Sequence, residues 1–388
     1  MLRPASATFS LDLQADARRS DEPARFTALG VVGAASQLAA QGPPGLLGGA
    51  TVRADWLARH AETILEPDLP IIDPHHHLWI RPGSRYLADD LLADMNSGHN
   101  IVATVYVQAQ SMYRQSGPSE MRPVGETEFV NGVAAMFASG AMGRSRGCAG
   151  IVGRADLMLG GRVEPVLLAH LRAGGDRFRG VRHTTSWDAD TRLNNPDYPS
   201  PPALLMDRTF REGIEVLARL GLSFDAMVYH PQLDDVANLA GAFPNLPIVL
   251  NHCGVPMGIG TYQGRHDEVF ARWSASLRRV ATHGNVSVKV GGLGMRYTAL
   301  GFSERAEPPS SEVVATLCRP YVETCIDAFG ASRCMFESNF PVDKVSYSYQ
   351  VFWNACKRLV SGASPIEKTA LFGGTAKRVY RLDAVNLG

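Results

Sequence analysis

From about residue 50 onward, short apolar runs rich in β-branched residues alternate with longer stretches whose apolar positions recur every three to four residues. The short runs predict strands, and the longer stretches predict helices with one buried face. The predicted strands cover residues 71–75, 101–108, 149–154, 178–183, 223–230, 247–252, 285–290 and 334–339. Predicted helices fill the intervals, at 126–138, 162–173, 203–220, 232–243, 267–282 and 311–329. A last helix opens at Ser364-Pro365-Ile366-Glu367, with an N-cap serine, a proline at the first helical position and a capping-box glutamate.

Eight β-then-α units in succession predict a (β/α)8 barrel, an α/β fold of about 250 residues before insertions. The surplus goes into long βα loops, such as 111–125 and the Pro-, Asn- and Asp-rich 184–202. Residues 51–388 are therefore expected to form one barrel domain. Residues 1–50 read as an extension, poorly ordered or packed on the surface, ended by Gln41-Gly42-Pro43-Pro44-Gly45. Arg18-Arg19 ahead of the apolar stretch at 26–40 faintly resembles an export signal. Asp21, Glu22 and Pro23 interrupt it, and the stretch is too short to span a bilayer.

Charge narrows the partners. Lys+Arg and Asp+Glu are both 38, the formal net charge is zero, and no basic stripe is present, so neither nucleic acid nor a membrane is expected as a partner. The six cysteines contain no CxxC pair and read as reduced, buried thiols of a cytoplasmic protein. A small molecule is the expected ligand, and a homodimer is the default assembly for such a barrel.

In a barrel of this kind chemistry sits at the C-terminal strand ends, and reactive residues gather there. The first strand runs through Ile71-Ile72-Asp73-Pro74-His75-His76-His77. Residues i and i+2 of a strand share a face, so His75 and His77 present two imidazoles together, with Asp73 one step deeper. Two imidazoles with further His or carboxylate ligands suit a divalent metal such as zinc or manganese. Gln108 and Gln110 end the second strand, Arg182 and His183 the fourth, His230 the fifth and His252 the sixth. Glu337, Asn339 and Asp343 cover the eighth strand and the loop after it. Six of 11 histidines, counting His76, fall at these ends.

Arg182 is a candidate clamp for an anionic substrate or a structural lumen arginine. Valines at 286, 288 and 290 put Lys289 on the opposite face, available to substrate or to a barrel carboxylate. His230 and Gln108 are the remaining candidate substrate contacts. Gly291-Gly292-Leu293-Gly294 reads as a loop passing close to substrate, with Trp187, Met295 and Tyr297 on the same rim.

The Asp73-Pro74-His75-His76-His77-Leu78-Trp79 opening resembles the amidohydrolase superfamily, and within it the amidohydrolase-2 group of TIM-barrel metal-dependent hydrolases. So do Val249-Leu250-Asn251-His252-Cys253-Gly254 and Phe336-Glu337-Ser338-Asn339-Phe340-Pro341-Val342-Asp343. The resemblance covers about residues 56–382 and implies hydrolysis at a carbonyl, with lactones as the substrates of sugar-lactone and pyrone-dicarboxylate relatives. It implies His75, His77, His252 and a strand-eight carboxylate as metal ligands, although some relatives work without metal. Relatives carry an aspartate where this chain has Asn339, which can neither take a proton nor ligate well. Glu337 is the expected replacement as ligand and general base, with Asp343 second and Asn339 donating to the oxyanion. The alternatives are nonoxidative decarboxylation or hydration of a cyclic or aromatic acid, and a non-catalytic binding barrel.

Overall fold

In a computed structural model, which describes residues 51–387, the eight expected strands form one parallel sheet. The expected extension over residues 1–50 lies outside the described residues. The strands begin with β1 (Ile71–His76), followed by a small antiparallel hairpin, β2 (Trp79–Arg81) and β3 (Ser84–Tyr86). The sheet continues with β4 (Ile101–Val107), β5 (Arg146–Gly153), β6 (Phe178–Val181), β7 (Ser223–Ala226), β8 (Ile248–Leu250), β9 (Val286–Gly291) and β10 (Cys334–Glu337). Each sheet strand pairs with the next in chain order. The chain after β10 returns to β1, where His76 bridges Phe340 and the Asn339 N–H donates to the His75 carbonyl at 3.0 Å. The result is a (β/α)8 barrel.

Two short helices, α1 (Ala54–Leu57) and α2 (Ala88–Met95), precede the surrounding set. That set comprises α3 (Val124–Ala138), α4 (Glu164–Gly174), α5 (Arg208–Arg219), α6 (Leu233–Ala242), α7 (His266–Ala281), α8 (Ser311–Phe329) and α9 (Tyr349–Leu359). The capping box at Ser364 forms, with Glu367 accepting the Ser364 N–H at 2.8 Å. Helix α10 (Pro365–Thr369) then runs through one π turn into α11 (Thr375–Val379). The predicted 203–220 helix starts later, at Arg208, because the Asp207 carboxylate caps it by accepting the Phe210 N–H at 3.0 Å.

Strand alternation sorts the core into two layers. Ile72, Val105, Val107, Val249 and Met335 fill the lumen, with Tyr380, Leu382 and Val385 plugging its lower end. Ile71, Tyr106, Ile151 and Val288 point outward into the helices. Val286, Val288 and Val290 belong to that outer layer, which leaves Lys289 inside, as their spacing predicted.

Strand β1 breaks its own alternation. Its register against β4 slips between Asp73 and His76. Ile72 is inside, so simple alternation would turn His76 inward. The extra residue between Asp73 and His76 reverses this, and His76 packs outward against Thr104 and Tyr106. Asp73 is consequently not one step deeper on the histidine face. Its carboxylate closes the β1–β10 seam, accepting from Ser338 N–H at 3.0 Å, Ser338 Oγ at 2.5 Å and Tyr349 OH at 2.9 Å. Burial pushes its pKa up to about 6 against those hydrogen bonds.

The six cysteines are buried and unpaired. No helix among the described residues is long and apolar enough to cross a membrane.

Several histidines outside the lumen titrate far below their usual range because burial disfavours the charged ring. His183 falls to about 3, and His99, His170 and His230 to about 4. The unfolded chain would bind protons at these rings below about pH 6.5, while the folded protein resists until about 4. Their contribution to stability is thus full above pH 6.5 and lost as pH falls. Asp73 and Asp343, raised to about 6 and 7, act in the opposite sense, as do the raised carboxyls of Asp94, Glu126 and Asp235; with His75, His76 and His77 also lowered, the histidines outnumber these carboxyls among the described residues. The thermal midpoint, followed by circular dichroism, should fall steadily between pH 7 and 4.5. A flat or rising midpoint would refute this account.

Candidate active site

The floor of the site is a carboxylate held between two imidazoles. Glu337, at the end of β10, is fully buried. Its Oε1 accepts from His252 twice, from the backbone N–H at 3.0 Å and from the ring Nδ1 at 2.7 Å. Its Oε2 lies 2.7 Å from His75 Nδ1, out of hydrogen-bond alignment. The Nδ1 side of both rings thus faces one carboxylate.

His77 stands beside His75, their Nε2 atoms 3.3 Å apart, with its own Nδ1 at 2.7 Å from the Val107 carbonyl. Burial pushes the pKa of both rings well below the ordinary value, reinforced at His75 first by Lys289 and at His77 by Arg182. Neutral imidazoles are the form that ligates metal. His75, His252 and Glu337 each offer one ligand atom, and these all lie within 4.8 Å of one another. Nitrogen and oxygen donors in this number fit a divalent ion of the zinc or manganese kind.

The loop after β9 explains how these groups pack so tightly. A side chain at Gly291 would meet Glu337 Cγ at 2.5 Å, and one at Gly292 (φ 66°) would meet His252 Nδ1 at 2.5 Å. At Gly294 it would meet Asp343 Oδ2 at 2.8 Å. The expectation that this loop lies against substrate gives way to a different role: its glycines make room for the side chains of Glu337, His252 and Asp343.

Above the floor lies a cavity of about 700 Å³. His77, His252, Arg182 and Asn339 form its inner end. Thr184, Ser186, Asn194, Asn195 and Tyr198, from the loop after β6, form a polar wall. Met295 and Tyr297 lie on the rim as expected, whereas Trp187 is not among the lining residues. Arg182 donates to the Gln108 carbonyl at 2.5 Å and lies 3.2 Å from His75 Nε2, leaving its buried Nε without a partner.

Other predicted residues land elsewhere. Lys289 is fully buried beneath His75, 3.4 Å from its Nδ1, and pairs with Asp225 at 2.8 Å. Asp225 also accepts from Tyr380 OH at 2.9 Å and Asn251 Nδ2 at 3.1 Å. Of the two alternatives for Lys289, the barrel carboxylate is the one the structure places against it, and Lys289 is not among the residues lining the cavity. His230 misses the central cavity because β7 ends at Ala226 and Pro231 fixes a helical turn over His230–Gln232. Its ring instead packs edge-on to Tyr262 and lines a separate side cavity with Arg272. Gln108 is fully buried, and both of its amide atoms lack partners. Asp343 sits behind Asn339, and burial pushes its pKa up to about 7.

The polar wall escaped the sequence reading, and so did the contacts of Trp79 and Arg81. Trp79 stacks on His77, and Arg81 lies 4.2 Å over the Trp79 ring while donating to the Ala109 carbonyl at 2.5 Å. The signal was present: residues 75, 77, 79 and 81 continue a single i, i+2 series into the β2 hairpin.

A sequence profile described as amidohydrolase matches residues 72–382. An uncharacterised protein of Sinorhizobium fredii, y4mH, is 33% identical over 81% of this chain and 99% of its own length. An L-fucono-1,5-lactonase of Burkholderia multivorans is 29% identical over 80% of this chain and 96% of its own. A crystal structure of an amidohydrolase from Burkholderia multivorans with bound zinc superposes with a TM-score of 0.62 at 28% identity, over 81% of this chain and 99% of that one.

The Gly292→Ala variant tests the packing argument. A methyl group at this left-handed position would both strain the backbone and displace the His252 ring, so the variant should lose stability by about 1–3 kcal/mol. Denaturant unfolding checks this, and an unchanged midpoint would show that the loop has slack.

Proposed function

The chain belongs to the amidohydrolase family and is a hydrolase, and from that premise we propose that it opens the ring of a small, hydroxylated sugar-acid lactone. The observation that carries the reading is His252 facing the cavity with Glu337 on its far side and Arg182 across from it. The lactonase relative supports the substrate class, and the polar wall of amides and hydroxyls suits a hydroxylated ring. A cavity of about 700 Å³ holds a monosaccharide-sized molecule.

The steps follow from the placement. Glu337 holds the Nδ1 side of His252, which leaves Nε2 to accept a proton from the water that adds to the carbonyl carbon and to return it to the ring oxygen as the acyl C–O bond breaks. Glu337 itself does not line the cavity, so it acts through His252 rather than on water directly. Negative charge develops on the carbonyl oxygen and remains on the product carboxylate. Arg182 and Arg81 provide the donors for it, and Asp197 is the one acidic residue among the described residues lining the cavity. His75, His77, His252 and Glu337 would hold a divalent ion, which when bound supplies Lewis-acid polarisation of the carbonyl. Where His252 serves as a ligand, its place as proton acceptor passes to another group, so metal content bears directly on the role of His252.

Elemental mass spectrometry of protein purified without chelator should find near-stoichiometric zinc or manganese, absent from the His75→Ala/His77→Ala variant. Equal metal in both proteins would remove the histidine pair from the ligand set. In parallel, sugar-acid lactones should be hydrolysed with release of one proton each, followed with a pH indicator. The Glu337→Gln variant should lose about 10²–10⁴ in kcat. Carbon dioxide release from a cyclic acid, without lactone turnover, would replace this reading with decarboxylation.

A further inference from the structure

Asn339 stands where the amidohydrolase pattern suggests an aspartate, and the fold dictates how its amide points. Its backbone is left-handed (φ 56°), a conformation asparagine tolerates better than most residues. One end of the amide lies 2.8 Å from Asp343 Oδ1. The other Asp343 oxygen already accepts the Gly294 N–H and the Tyr347 OH, both at 2.9 Å. Above its pKa of about 7 Asp343 is a carboxylate, and an amide oxygen turned toward it would set two acceptors against each other. The NH2 end therefore faces Asp343, and the oxygen is left on the opposite side.

That oxygen is buried and has no hydrogen-bond partner, in a residue 1% exposed that lines the cavity next to His252. A buried acceptor with no partner is unfavourable until a ligand satisfies it. It calls for a donor and repels another acceptor. This reverses the expectation that Asn339 donates to the oxyanion. It also gives a physical reason for the amide. An aspartate 2.8 Å from Asp343 would place two carboxylates together, which share a proton rather than both ionising. Asparagine keeps one unpartnered acceptor oxygen beneath the cavity wall without that conflict.

We infer that Asn339 Oδ1 is a specificity contact, accepting a hydrogen bond from one ring hydroxyl of the lactone, and that Asp343 is the residue positioning it. The inference rests on the lactone reading above. A pocket built to bond a hydroxyl discriminates strongly against the analogue lacking it, because the buried acceptor is then left unpaired. A keto or carboxylate group at the same ring position is disfavoured further, by repulsion between acceptors.

The experiment uses pairs of lactones that differ at one hydroxyl. With the full-length protein, assayed above the Asp343 pKa, kcat/KM should favour the hydroxylated member of one pair by about 10- to 100-fold. Asn339→Gly, which removes the amide while accepting the left-handed backbone, should collapse that ratio to near one. Asp343→Asn frees the amide to turn and should relax the ratio in part. The double variant should discriminate no less than Asn339→Gly alone, a non-additivity that a purely structural role would not produce. Should Asn339→Gly not fold, the partial relaxation expected of Asp343→Asn carries the test.

Calorimetric binding of the same pairs to Glu337→Gln supplies an affinity ratio that needs no turnover. Discrimination that depends on Asn339 in binding, without hydrolysis by the wild type, would uphold the contact while removing the lactonase reading. Lactone hydrolysis whose hydroxyl preference is untouched by Asn339→Gly would overturn the contact and leave the lactonase reading standing. Absence of any hydroxyl preference in both turnover and binding would overturn it as well.

Discussion

The buried Glu337 carboxylate is the constraint around which this barrel is organised. A carboxylate removed from water is costly unless hydrogen bonds and opposite charge compensate it. Here His252 supplies two donors and the His75 ring lies against the second oxygen. Close packing on this scale requires backbone without side chains, and the Gly291-Gly292-Leu293-Gly294 loop supplies it. One level down, Lys289 and Asp225 form a second buried pair, steadied by Tyr380 from the C-terminal helix. The lumen is thus polar and ionic at its upper end and apolar below, where Ile72, Val249 and Met335 meet.

The same economy governs the seam between first and last strands. Backbone pairing there reduces to the His76–Phe340 bridge and its flanking hydrogen bonds. Asp73 completes it by accepting from Ser338 and Tyr349. The seam also shapes the site, since the Asn339 N–H that reaches the His75 carbonyl fixes a residue that lines the cavity. Closure of the barrel and shaping of the site are therefore one event.

Much of this was legible in the sequence. Strand positions and order followed from β-branched runs alternating with helical periodicity, and the final helix followed from Ser364-Pro365-Ile366-Glu367. Local signals suffice there because a strand or a cap is decided by a few neighbouring residues. The assembly of His75, His77, His252 and Glu337 followed from the barrel rule that strand ends converge. His230 fell outside because the end of a strand depends on pairing with its neighbours, which no local pattern encodes. Lys289 was left open between substrate and carboxylate, and its partner Asp225 is 64 residues away.

What the sequence determined by itself is the list of elements, their order and the residue types brought to one rim, because periodicity and barrel topology follow from the chain alone. Tertiary structure decided orientation. The slip between Asp73 and His76 chose which histidines turn inward, Asp225 claimed Lys289, and Asp343 chose which end of the Asn339 amide meets the ligand. Each of these depends on atoms distant in the chain, and an error of one residue or one amide flip inverts the chemistry presented to the cavity.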